Sequence, residues 1–255
     1  MIEKLLRDED GVAHVVGISG GKDSVALAFA LQTIKPRPYN YLFTPTGDEL
    51  PEMVAHISAI ENRLGAPILR ITNGTLHSTI KNNSMLPNCH ARFCTRILKL
   101  KPAGDFFTVA APVVAYVGLR ADEDEREGTR PGGDSASIKT EVVQDFPFQR
   151  WGWGITEVWA FLDAMGIAIP DRTDCARCPY QRLGEWFILW RDYPDIYADA
   201  EAQEDHYGHT FRSPSRDSWP ASLKDLRSRF MAGERPEISL QMMEKRRGMC
   251  RVCSL

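Results

Sequence analysis

The stretch "GISGGKDSVALAFAL", Gly17 to Leu31, constrains the fold of this chain more than any other. It leads from a buried-strand pattern, "AHVVGIS" (13–19), through a glycine turn into helical apolar spacing that lasts to about Ile34. A glycine turn between strand and helix lets backbone N–H groups approach an anion, and the helix N-terminus adds positive potential. Gly20 and Gly21 supply the turn, Lys22 a cation, and Ser19 and Ser24 hydroxyl donors. The spacing from Gly17 to Gly21 is one residue short of GxxxxGK[ST], and Asp23 follows Lys22. The stretch is therefore not a Walker A loop, and the GxGxxG fingerprint is also absent.

The rest of the first half repeats the alternation. "YLFTPT" (41–46) reads as a strand, and "LPEMVAHISAIENRLG" as an amphipathic helix ended by Gly65. "PILRIT" (67–72) reads as a third strand. After a polar stretch, "CTRILKLKPAGDFF" reads as a helix interrupted by proline, and "VVAYVGL" (113–119) as a fourth strand. Strand–helix alternation predicts an α/β fold with a parallel sheet, its ligands at the carboxyl ends of the strands. From Arg120 to about Ala136 the chain is charged and glycine-rich, and reads as a mobile loop or lid. The second half holds most of the tryptophans and several helical stretches: "GITEVWAFLDAMG", "GEWFILWRDYPDIYADAEAQE" and "SLKDLRSRFMAG". The expected organisation is a nucleotide-binding domain over 1–150 and a helical, cysteine-bearing region over 151–255 packed on it.

Composition sets the limits. The chain has 255 residues, 43% hydrophobic and 25% charged, with net charge −3, which fits a globular protein and not a polycation. No run approaches the ~18 apolar residues of a membrane span. The first residues carry acids where a signal peptide has its apolar run, so the expected location is the cytoplasm, without a membrane partner. Thiols stay reduced there, and the six cysteines read as metal ligands or reactive thiols. Cys175-x-x-Cys178 and Cys250-x-x-Cys253 form two pairs, with Cys89 and Cys94 upstream. Two such pairs complete four ligands, for zinc or for a [4Fe–4S] cluster. The C-terminal pair also suits a redox dithiol.

Ser19-Gly20-Gly21-Lys22-Asp23-Ser24 resembles the SGGxDS loop of the PP-loop ATP pyrophosphatase (adenine nucleotide alpha-hydrolase-like) superfamily. The resemblance implies a loop that grips the pyrophosphate of ATP, with cleavage between the α and β phosphates. "TPTGDELPEM" (44–53) is similar to the TGxxxPE segment of the phosphoadenosine phosphosulfate (PAPS) reductase group. "FCTRILKLKP" (93–102) is similar to its Cys-plus-LKxxP segment, and "YVGLRADEDER" (116–126) to its GLRxxE…R segment. The matches cover roughly residues 13–180. "DCARCPYQRLGEWFILWRDYPDIYADAEAQE" is similar to phage- and prophage-encoded members.

These resemblances imply Asp48 and Glu49 near the nucleotide or its metal. By the same resemblance Gly118 would belong to the nucleotide site, and Arg92, Lys99, Arg120 and Arg126 would face phosphates or a sulfate-like group, which guanidinium forks suit. Lys22 would stabilise the leaving pyrophosphate, and Asp23 or Asp48 would place Mg²⁺. Adenylyl-sulfate reductases of the family hold a [4Fe–4S] cluster with a Cys-Cys pair and a downstream CxxC. Cys94 and Cys175 fit that spacing, but Thr95 stands where the second cysteine of the pair belongs. Two ligand sets stay open: Cys175, Cys178, Cys250 and Cys253 with Cys94 free, or Cys94, Cys175 and Cys178 with one C-terminal cysteine. A three-cysteine cluster with an open iron is a further variant. Cys89 or Cys94 is a candidate persulfide carrier.

An ECG(I/L)H segment, which holds the reductases' nucleophile, does not occur, and the glycine loop is intact. Both features favour ATP cleavage with sulfur transfer over sulfonucleotide reduction. The alternatives are an APS/PAPS reductase and a non-catalytic nucleotide-binding protein with structural zinc. "LKDLRSRF" and "EKRRGMCR", near Trp219 and Phe230, either contact a phosphate backbone or form solvated helix faces. His206 and His209 read as surface histidines. Adenine nucleotide is the expected partner. A nucleic-acid substrate, a sulfur-donor protein and a homo-oligomer stay open.

Overall fold

The strands predicted in the first half form one sheet, and a fifth strand extends it. In the computed structural model, which describes residues 5–123 and 141–237, the order is β3-β2-β1-β4-β5. The strands are β1 (Ala13–Gly17), β2 (Tyr39–Phe43), β3 (Ile68–Arg70), β4 (Val113–Tyr116) and β5 (Val142–Asp145). All neighbours are parallel. The chain therefore winds outward from β1 in both directions, and the carboxyl ends of β1 and β4 flank the point where the order reverses. Open parallel sheets bind ligands at that point.

Alternation along β1 assigns the two faces. Ala13 and Val15 pack with Phe106 and Ala110 of α5 (Lys101–Ala110), and Val16 and Ile18 pack under α1 (Lys22–Ile34) and α2 (Pro51–Leu64). Nine residues of α1 are buried, which explains its apolar run "VALAFAL". The helix α7 (Ile155–Ala164) also belongs to this first core, through Val158 and Leu162. The division expected at residue 150 thus falls inside a core, because the apolar stripe of α7 faces α1.

A second core lies beyond. It joins α8 (Leu183–Asp192), α9 (Pro194–Tyr207) and α10 (Leu223–Met231) to Leu76 and Ile80 of α3 (Leu76–Asn83), and to Leu50, Leu86 and Leu98. Trp186, fully enclosed, touches Phe211 and Tyr197. The stretch read as one helix from Gly184 to Glu204 is two, because Pro194 has no N–H to continue the first. The proline-interrupted helix is α4 (Phe93–Thr95), a π-helical turn (Arg96–Leu100) and α5. Lys101 donates back five residues to the carbonyl of Arg96, immediately before Pro102. Three elements escaped the sequence reading: α3, β5 and α6 (Pro147–Trp151). The loop expected over 120–136 lies outside the described residues from 124 onward. Among the described residues no helix is long and apolar enough to cross a membrane.

Glu204 ties the loop that follows α9 to that helix. Its carboxylate accepts from the backbone N–H groups of Phe211 (2.9 Å) and Leu223 (2.7 Å). Burial raises its pKa from 4.5 to about 7. Between those values the folded chain keeps a proton that the unfolded chain has released, so stability falls as pH rises. The loss across this window is on the order of 3 kcal/mol. Urea unfolding of the wild type should show that slope between pH 4.5 and 7, and Glu204→Gln should flatten it.

Candidate functional site

Two sites lie at the carboxyl edge of the sheet. The first is the glycine turn between β1 and α1. Ser24 Oγ accepts from the backbone N–H of Ser19 (3.1 Å), lies 3.0 Å from Ser19 Oγ and donates to the carbonyl of Gly21 (3.0 Å). The two serines therefore close the loop upon itself. Gly20 has φ +77°, and a Cβ there would collide with the Met53 methyl at 1.9 Å. His56, also on α2, lies with Nε2 3.1 Å from the Gly20 carbonyl. Burial lowers the His56 pKa, so the neutral ring donates this bond. Sequence reasoning passed over Met53 and His56 because helical spacing alone marks them as core.

Lys22 is 0% exposed, and its Nζ reaches Asp23 Oδ2 at 3.3 Å. Burial pulls its pKa down, and the Asp23 charge opposes that pull. Asp23 also accepts from Arg120 Nη1, at 2.9 and 3.0 Å from its two oxygens. Arg120 is bound in addition by Asp122 (2.8 Å) and by Glu123 (3.5 Å). Asp23, one of the two carboxylates expected to place Mg²⁺, thus joins two of the expected phosphate-binding cations. Gly118 permits this junction. A Cβ on it would stand 2.9 Å from the Asp23 carbonyl oxygen. Arg126 lies outside the described residues.

The second site is a cleft lined by Cys94, Cys175 and Cys178 with Arg92, Lys99 and Tyr180. The π-helical turn presents Leu98 and Lys99 to it, and irregular helical turns of this kind concentrate at functional positions. Arg92 stacks over Tyr180 at 5.2 Å, and Tyr180 Oη donates to the Cys89 carbonyl (2.9 Å). Burial raises the Cys94 pKa and pushes that of Cys175 up to about 12. The expected phosphate-side residues Arg92 and Lys99 therefore stand with the thiols. Cys250 and Cys253 lie outside the described residues. Among the described residues no group of three or more His, Cys, Asp or Glu side chains stands close enough to hold a metal ion.

The turn after β2 touches the cysteine site. Glu49, expected near the nucleotide or its metal, closes this turn: it accepts from Thr46 N–H (2.6 Å), Thr46 Oγ1 (2.7 Å) and Gly47 N–H (2.9 Å). Asp48 binds Arg177 of the Cys175–Cys178 turn, with Nε 2.7 Å from Oδ1 and the backbone N–H 2.9 Å from Oδ2. Burial raises the Asp48 pKa, and Arg177 opposes the rise. Thr46 Oγ1 lies 3.3 Å from Cys175 Sγ. Arg177 was missed because a charged residue inside a CxxC pair reads as solvated.

The basic run on α10 is largely neutralised. Arg227 binds Glu201 (2.9 Å), and Arg229 binds Glu234 (2.7 Å) and stacks over Trp219 at 4.2 Å. "EKRRGMCR" lies outside the described residues. His209 accepts the backbone N–H of Leu86 (2.8 Å) and so has a packing role, and His206 meets the Tyr207 ring edge-on.

Residues 13–186 match the phosphoadenosine phosphosulfate reductase domain. An uncharacterised protein of Methanocaldococcus jannaschii is 24% identical over 194 residues, which are 72% of this chain and 39% of that protein. The chain thus spans about two fifths of that relative's length. Among solved structures, phosphoadenylyl-sulfate (PAPS) reductase from Candida auris, in its phosphate complex, aligns at 12% identity and TM-score 0.48. That alignment covers 61% of this chain and 74% of the reductase. The U34-tRNA thiolase NcsA from Methanococcus maripaludis, with its [4Fe-4S] cluster, aligns at 16% identity and TM-score 0.47. It covers 88% of this chain and 84% of the thiolase.

Two glycines separate close approach from free space. Gly118→Ala must displace the Asp23 backbone and should cost ~1–3 kcal/mol in urea unfolding. Gly104→Ala in α5 meets nothing within 4 Å and should stabilise by ~0.5–1 kcal/mol. Calorimetric titration with ATP should show weaker binding for Gly118→Ala alone.

Proposed function

Because the chain belongs to the phosphoadenosine phosphosulfate reductase domain family, we propose that it is an enzyme that cleaves ATP to AMP and pyrophosphate, activating an acceptor for sulfur transfer. The observation that carries this reading is the self-closed Ser19–Ser24 turn at the reversal point of the sheet, with Lys22 enclosed beside it. Backbone N–H groups and the start of α1 suit the phosphates. In the first step an acceptor oxygen attacks the α phosphorus, the bond to the β-phosphate oxygen breaks, and pyrophosphate leaves. Lys22 and Arg120 offset the charge that gathers on the leaving group. In the second step a hydrosulfide-level sulfur nucleophile attacks the activated atom. Its bond to the acceptor forms as the acceptor–oxygen bond breaks, and AMP departs with that oxygen.

Mg²⁺, a hard cation, would supply charge neutralisation at the phosphate oxygens, with Asp23 the carboxylate nearest the loop. The thiols of the cleft have the donor chemistry an iron–sulfur cluster takes, but among the described residues they do not stand close enough together to hold a metal ion, so loading would have to draw them together. Cys94, Cys175 and Cys178 share one cleft, and Lys99 and Arg92 beside them offset the charge of thiolate ligands. Thiols whose pKa burial has raised lose their protons on binding metal, so loading would be coupled to proton release. These three cysteines would hold the cluster, with Cys250 or Cys253 as a fourth ligand. When bound, it supplies iron as a Lewis acid or an electron store. Thr46 Oγ1 lies 3.3 Å from Cys175 Sγ at one side of this cleft.

The test uses the full chain purified without oxygen. Iron and acid-labile sulfide should each approach four per chain, and Cys175→Ser should remove most of both. ATP should bind the wild type. Lys22→Met, which keeps the apolar stem, should bind it about 10- to 100-fold more weakly, the worth of one charge-assisted hydrogen bond. A colourless protein carrying one zinc, or equal ATP binding by Lys22→Met, would overturn the corresponding half of the reading.

A further inference from the structure

The turn after β2 carries a buried ion pair that the proposed chemistry does not use. Asp48 is 5% exposed. Its Oδ1 accepts from Arg177 Nε (2.7 Å) and also from Nη2, and its Oδ2 from the Arg177 backbone N–H (2.9 Å). Its main-chain carbonyl accepts from Ala176 N–H (2.7 Å). One residue thus receives four bonds from the two residues that separate Cys175 from Cys178. The remaining Arg177 nitrogen, Nη1, binds Asp199 on α9. Glu49 and Cys175 form an isolated antiparallel bridge alongside.

This pattern differs from that of a metal-binding carboxylate. A carboxylate that serves Mg²⁺ keeps an oxygen available to the cation and its waters. Both Asp48 oxygens are instead directed at a guanidinium fork and a backbone amide, within a protein interior. The two neighbours in the turn support the arrangement. Glu49 fixes the turn from within, and Thr46 reaches the Cys175 sulfur.

We infer that Asp48 and Arg177 are positioning residues of the cysteine cleft. Together they set the spacing and direction of the Cys175 and Cys178 thiols, and Asp48 does not serve the cation of the nucleotide. The inference rests on the proposed reading only in taking the cleft as the working site of those cysteines. The bonds themselves stand whether or not a cluster is held there.

Asp48→Asn keeps the shape and removes the charge, and three readouts separate the possible outcomes. In reduced, metal-free full-length protein, alkylation of Cys175 by iodoacetamide, followed by mass spectrometry, should accelerate about ten-fold or more as the half-buried thiol loses its fixed position. Iron retained after anaerobic reconstitution should fall by at least half. ATP·Mg²⁺ affinity should stay within about two-fold of wild type, because no phosphate contact is lost. Arg177→Lys should give the same pattern more weakly, since it keeps the charge but not the fork. It also serves if Asp48→Asn does not fold. A ten-fold loss of ATP·Mg²⁺ affinity with unchanged Cys175 alkylation would overturn the inference and return Asp48 to the nucleotide. Absence of iron from the wild type would defeat the cluster reading, while the alkylation rates would still decide the role of Asp48.

Discussion

The turn from Thr46 to Leu50 joins the two cores of the molecule. Two residues separate its start from the end of β2, and Leu50 is already part of the second core. Between them the backbone of Asp48 accepts Ala176 N–H, and its side chain takes Arg177. The next residues begin α2, which places Met53 and His56 against Gly20. One short segment therefore supports the phosphate-type loop on one side and the cysteine turn on the other. Its closure by Glu49 makes both supports rigid, because three donors converge on one carboxylate.

The buried pair within this turn is a poor device for stability as such. Removing a carboxylate and a guanidinium from water costs several kcal/mol per ion, which mutual attraction offsets only when the geometry is good and the remaining hydrogen bonds are made. Those conditions hold here: Asp48 receives bonds through both oxygens, and Arg177 extends to Asp199. What such a pair provides over an apolar contact is direction. A leucine in place of Arg177 could fill the same volume without fixing the angle of the turn that carries the two thiols.

Much of this architecture is readable from the chain. Four of the five strands, and the loop Ser19–Ser24, follow from apolar runs bounded by glycine, because buried parallel strands and tight anion loops leave strong local patterns. β5 escaped because it is an edge strand, with Val143 exposed and polar residues on either side of its short apolar pair. α3 escaped because "LHSTIKNN" is a weak helix former held by the Thr75–Ser78 capping box. At the site, residue types were legible and pairings were not. Lys22, Asp23 and Arg120 lie together as their motifs imply, but the sharing of Asp23 by the two cations depends on Gly118, which meets Asp23 only across the sheet. Likewise, nothing local in "DCARCPY" indicates that its arginine answers an aspartate 129 residues earlier.

That shared aspartate also bears on how the first site would receive a nucleotide. Lys22 is enclosed and Arg120 nearly so, and neither could remain charged there without a partner except at a large desolvation cost. Asp23 supplies that partner, with Asp122 and Glu123 adding to Arg120. In the proposed reading, an incoming triphosphate competes with a carboxylate for two cations already in place. Binding is then an exchange of partners, and its net energy is much smaller than the sum of the new contacts. The exchange favours ligands of high, localised negative charge, because a singly charged phosphate ester returns little beyond what Asp23 already gives. Mg²⁺ fits the same logic, since an aspartate released from Arg120 at the moment of phosphate arrival becomes available to a hard cation. In that reading the glycine turn provides shape, while the sharing of Asp23 between Lys22 and Arg120 would make occupancy depend on the charge of what enters.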